Sequence, residues 1–113
     1  MYIHLVQTEY SFRLRPGRIE DTDKVGKIIF EAFSAIADKH GFPPDYPSVD
    51  VARGLASSLL SNPRFYSVVA EDTSTDEDKR MVVGSNFLDE RSNLVAGVGP
   101  LTIDLKLLCC ITI

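Results

Sequence analysis

The chain has 113 residues, 44% hydrophobic and 25% charged, and a net charge of -4 at neutral pH, the composition of one globular domain with its own core. The acidic balance and the lack of any Lys/Arg cluster argue against a nucleic-acid surface. No apolar run is long enough for a membrane span, and Met1 to Glu9 lacks the pattern of a secretion signal, so a cytoplasmic location is expected.

Met1 to Ser11 has no sustained period and reads as an N-terminal extension. Phe12 to Arg15 alternates, with Phe12 and Leu14 on one face and Arg13 and Arg15 on the other, predicting a short strand before Pro16-Gly17. The clearest periodicity follows: Val25, Ile28, Ile29, Ala32, Phe33, Ile36 and Ala37 recur at helical spacing and predict a core-facing helix. Glu20, Asp21 and Asp23 suit the positive end of its dipole, and Lys39 and His40 suit the other end before Gly41. The prolines of Gly41-Phe42-Pro43-Pro44-Asp45-Tyr46-Pro47 prevent any helical continuation and make a stiff aromatic loop. Ser48 then caps a second helix, Val49 to Ser61, with Val51, Leu55 and Leu59 as its stripe and Asn62-Pro63 as its stop.

Phe65 to Glu71 and Met81 to Leu88 are rich in strand formers and predict a hairpin whose polar loop, Asp72 to Arg80, is exposed. Asp76, Glu77 and Asp78 in that loop lack the spacing of a calcium site and read as solvated. Cys109 and Cys110 are adjacent and the two histidines, His4 and His40, lie in unrelated segments, so no metal site is expected. After a turn at Asp89 to Asn93 comes Val95 to Asp104, a β-rich run interrupted by Gly97, Gly99 and Pro100. Glycine admits unusual backbone angles and proline removes a ladder donor, so this run must bend or bulge. The order strand, helix, helix, strand, strand, strand is an α+β pattern with a mainly antiparallel sheet.

Several of these strings resemble the N-terminal part of the GNAT superfamily of acyl-CoA-dependent N-acetyltransferases. They are Leu14-Arg15-Pro16 followed by Asp21, Glu31-Ala32-Phe33, His40-Gly41-Phe42-Pro43-Pro44, Val83 to Arg91, and Gly97 to Asp104. The resemblance implies a GNAT-like β-α-α-β-β-β domain over 12–104, incomplete at its C-terminal side, between the extension 1–11 and a divergent apolar tail 105–113. It implies acyl transfer from acetyl-CoA to a small-molecule or peptide amine. In that family the strand resembling Val95 to Asp104 is splayed to admit the pantetheine arm, which implies cofactor pairing by the backbone of Leu101, Thr102 and Ile103. A strand that merely bends at a sheet corner accounts for the same glycines. The resemblance also implies substrate contacts by Phe30, Phe42 and Tyr46, near the connection of the first two helices. Packing accounts for the loop aromatics equally well.

The family follows this strand with a glycine-rich turn whose N–H groups hold the cofactor's pyrophosphate. Here the chain continues Leu105-Lys106-Leu107-Leu108, with no glycine and no basic pair. The expectation is therefore an acetyltransferase domain inactive as the isolated chain. The alternative is a non-catalytic interaction module, or a truncated product, that has lost cofactor binding. Asp89, Glu90 and Asp104 lie at strand ends as candidate bases, though such residues more often serve as turn or surface residues, and His40, beside Gly41 at a helix end, reads first as a partner of the helix dipole, so no catalytic residue is assigned. Cys110-Ile111-Thr112-Ile113 fits a prenylation box only formally. The apolar tail suits an extension of the last strand or an adhesive edge for self-association.

Overall fold

Two helices cover one face of a five-stranded antiparallel sheet in the computed structural model, which describes residues 4–5, 11–74, 76, 79–108 and 111–112. Glu77, Asp78, Cys109 and Cys110, and the readings made on them, lie outside the described residues, as does most of the extension. The elements are β1 (His4–Leu5), β2 (Phe12–Pro16), α1 (Thr22–His40), α2 (Val49–Ser61), β3 (Phe65–Asp72), β4 (Val82–Asp89), β5 (Gly97–Val98), β6 (Thr102–Ile103), α3 (Leu105–Leu108) and β7 (Ile111–Thr112). The main sheet runs β2-β3-β4, with β5 and β6 both pairing the far side of β4, while β1 and β7 pair separately. Every pairing among the described residues is antiparallel, so the molecule is of the α+β class. Among the described residues no helix is long and apolar enough to cross a membrane.

The core joins Val25, Ile28 and Ile29 of α1 to Ala52, Ala56 and Leu59 of α2, over Val69, Val82 and Phe87 of the sheet. Two expected stripe positions are displaced: Ile36 is 56% exposed, and on α2 the buried stripe is Ala52-Ala56-Leu59, leaving Val51 48% exposed. On α2 the reason is how closely the helices approach. A Cβ on Gly26 would stand 2.7 Å from the Arg53 Cα, so α1 comes up to the backbone of α2 at this glycine, and the small Ala52 and Ala56 are what α2 buries. The caps follow the sequence: Ser48 Oγ accepts the Val51 N–H at 3.3 Å, and Gly41, at φ 68°, donates to the carbonyls of Ala37 and Asp38.

Strand β2 turns out its leucine and covers its arginine. Leu14 is 72% exposed, whereas the Arg15 side chain is 11% exposed. Its two terminal nitrogens donate to both carboxylate oxygens of Asp21 at 2.9 Å, and its Nε donates to Glu71 at 3.0 Å. Asp21, in a 3-10 turn (Ile19–Asp21) ahead of α1, also accepts the Arg18 N–H at 2.9 Å. Burial pushes the Asp21 carboxyl up, but the Arg15 guanidinium and the Arg18 N–H outweigh it and hold the carboxyl below the usual carboxylate range.

The tail does not simply prolong the last strand. Asp104 Oδ1 accepts the Lys106 N–H at 3.0 Å, a side-chain-to-backbone bond that starts a turn, and Leu105–Leu108 completes one helical turn with Leu107 buried.

Candidate functional site

Two ladder hydrogen bonds define the geometry of the strand past β4. Gly99 donates its N–H to the Phe87 carbonyl at 2.8 Å, and Asp104 donates to the Val83 carbonyl at 2.7 Å. Between Gly99, opposite Phe87, and Thr102, opposite Ser85, the residues Pro100 and Leu101 together face Asn86: two residues against one, a β-bulge. Gly99 adopts φ 137°, a conformation that a side chain would strain. The glycine and proline that interrupt the strand thus bulge it between β5 and β6.

Main-chain groups of an antiparallel strand alternate between facing its partner and facing away. Asp104 bonds inward, so Thr102, two residues before, also faces β4, and Ile103 between them turns its N–H and C=O outward. The Thr102 side chain is buried, with its hydroxyl 3.3 Å from that of Ser85. Of the three residues expected to pair with a cofactor, Thr102 is therefore engaged with β4, Leu101 sits exposed in the bulge, and Ile103 offers its main chain to the outer edge. Among the described residues no strand pairs with that edge.

Of the candidate bases, Asp104 is held apart from the neighbours Asp89 and Glu90. Asp89 closes β4 at the β5 end, whereas Asp104 lies opposite Val83 near the other end of β4. Asp89 is gripped by Arg91, whose Nη2 and Nε donate at 2.8 and 3.0 Å and whose backbone N–H donates at 3.0 Å. These bonds hold the Asp89 carboxyl below the usual range, which makes it a weak proton acceptor. The Arg91 guanidinium also lies 5.0 Å from the centre of the Phe65 ring. Both side chains line an open cleft of about 500 Å³ between α2 and β5, walled by Leu55, Leu59 and Val98. Glu90 is exposed and engaged through its backbone, its carbonyl accepting the Arg64 Nη2 at 2.8 Å. Asp104 is buried, 3.5 Å from the Lys24 ammonium.

A second open cleft, of about 510 Å³, lies between α1 and the aromatic loop. It brings together Phe30, Phe42 and Tyr46, the expected substrate contacts, and adds Ser34 and Asp38, which recur with Phe30 every four residues along one face of α1. Tyr46 meets the Phe33 ring edge-on at 5.8 Å and packs against the core, so it is anchored; Phe42 is 66% exposed, with His40 stacked on it at 6.0 Å. Burial, and then the negative charge of Asp45, push the Tyr46 phenol up, so it stays protonated at neutral pH. The two clefts share no lining residue. The spacing 30-34-38 is legible in the sequence, but the apolar period of α1 marks its other face. Asp38 becomes a site residue only when the loop folds back beside it.

No protein-family model matches this chain, and no curated protein or solved structure matches it either.

Proposed function

We propose that the chain corresponds to the N-terminal portion of an acetyl-CoA-dependent N-acetyltransferase domain, binding the pantetheine arm along its bulged strand and an acceptor amine beside the aromatic loop. One observation carries this reading: an edge strand, bulged at Pro100-Leu101, that presents the Ile103 main chain outward with no strand paired to that side among the described residues. An extended ligand with spaced amides is held by such an edge, because it supplies the donor and acceptor that a neighbouring strand would otherwise take. Leu101 and Ile103 are the contacts of this reading, and the buried Thr102–Ser85 pair supports the strand from beneath. The turn Leu105–Leu108 has no glycine to let a pyrophosphate approach, so acetyl-CoA is held through its pantetheine and the isolated chain does not turn over.

A second reading, a non-catalytic interaction module, draws on the exposed apolar side chains Val98 and Leu101 along the same edge and Leu94 and Val95 in the bend before it, where a protein segment would add a strand. Isothermal titration separates the two. Acetyl-CoA and pantetheine are expected to bind the purified chain saturably, with dissociation constants on the order of 10–100 µM. Absence of acetyl-CoA binding at about 1 mM overturns the acetyltransferase reading and leaves the interaction module.

A further inference from the structure

We infer that the cleft between α1 and the Gly41–Pro47 loop selects an amphiphilic monoamine, a ligand with one ammonium group on an apolar body about the size of an aromatic ring. The inference rests on the acceptor-amine reading above for its place in a reaction, and on the cleft itself for its chemistry.

Among the described residues Asp38 is the only charged side chain lining the cleft, with Asp45 adjacent to the lining Tyr46, and the Asp38 carboxylate has no hydrogen-bond or ion-pair partner there. An unpaired carboxylate beside aromatic rings attracts a cation twice, through its own charge and through the negative faces of the rings. Ser34 stands one helical turn before Asp38 and lines the same cleft, so its hydroxyl gives an ammonium a second acceptor. The rest of the ligand meets Phe30, Phe42 and Tyr46. Phe42 is held at a proline-stiffened loop and exposes its ring, whereas Tyr46 is fixed from behind by Phe33, so the walls are preorganised. A volume of about 510 Å³ is far larger than an ammonium group needs and accommodates a ring or a short alkyl chain.

The apolar walls set the specificity. Asp38 takes one ammonium and Asp45 stands next to Tyr46, so charge alone does not reject a polyamine; a polyamine lacks the apolar body that Phe30, Phe42 and Tyr46 would hold. An acidic ligand meets repulsion from Asp38, and a neutral isostere forgoes both attractions. The preferred class is therefore the arylalkylamine type rather than polyamines or amino acids.

The test is an NMR titration of the full chain, without any acyl donor, using 2-phenylethylamine, its neutral counterpart 2-phenylethanol, and spermidine. The amine is expected to shift resonances of Phe42, Tyr46 and Asp38 and to bind about fivefold to tenfold more tightly than the alcohol or spermidine. Asp38→Asn, at an exposed position, is expected to bring amine and alcohol to parity, and Phe42→Ala to weaken both several-fold. Equal binding of amine and alcohol by the native chain, a preference that survives Asp38→Asn, tighter binding of spermidine, or no amine binding overturns the inference. Because the titration contains no acetyl-CoA, failure here leaves the acetyl-CoA result untouched, and failure of acetyl-CoA to bind leaves the amine site standing.

Discussion

Replacing Asp21 by asparagine removes the charge that allows Arg15 to be covered. Asp21 is 7% exposed and accepts three hydrogen bonds of 2.9 Å, two from the Arg15 guanidinium and one from the Arg18 N–H. Breaking a buried ion pair by removing one partner costs about 3–5 kcal/mol. Here the loss is smaller, because Glu71 still accepts from Arg15 Nε at 3.0 Å and an amide retains one acceptor oxygen. We expect Asp21→Asn to destabilise the fold by about 2–3 kcal/mol. For a chain of 113 residues this is a fall in melting temperature of about 8–13 °C. The chain has no tryptophan, so urea unfolding is best followed by far-UV circular dichroism. The pH dependence adds a second check. The folded-state pKa of Asp21 lies below its ordinary value, so its stabilisation is fully present above the unfolded pKa and is lost as pH falls through the folded one. The stability gap between native chain and variant should hold from pH 7 to about 5, begin to narrow at about pH 4, and close only as pH falls through the lowered folded-state pKa. A difference under about 0.5 kcal/mol at pH 7, or a gap that persists in acid, refutes the assigned role of the Arg15-Asp21-Glu71 cluster.

Gly26→Ala and Gly54→Ala should move stability in opposite directions. The first places a Cβ 2.7 Å from the Arg53 backbone and is expected to cost about 1–3 kcal/mol by forcing α1 from α2, whereas the second meets nothing within 4 Å and should gain about 0.5–1 kcal/mol in the shift of the urea midpoint. Arg91→Ala frees Asp89 from its partner, so an NMR titration should find the Asp89 carboxyl returned toward the ordinary carboxylate range; an unmoved titration would mean that Arg91 does not set it.

Local rules made much of this fold legible before any tertiary contact was considered. Ser48 and Asn62-Pro63 bound a helix whose range, Val49–Ser61, coincides with expectation, because caps and proline act on neighbouring backbone. The hairpin β3-β4 and the interrupted strand past it were readable for the same reason: strand propensity, a polar loop, and the glycines and proline of Gly97 to Pro100 are properties of short segments. The bulge was expected, but which main-chain groups it turns outward depends on the phase of pairing with β4. That phase leaves Ile103 outward and engages Thr102.

The sequence by itself determined where the chain bends, caps and alternates, since those choices are made by residues within a few positions of one another. It did not determine which residues come together across the fold. Whether Leu14 or Arg15 is covered depends on Glu71, which lies 56 positions from Arg15 and completes the charge cluster. Which stripe of α2 is buried depends on Gly26 of α1. Whether Asp38 lines a cleft depends on a proline-stiffened loop returning Phe42 and Tyr46 to its side. Packing and ion pairing act between segments distant in sequence, so only the tertiary structure decided them.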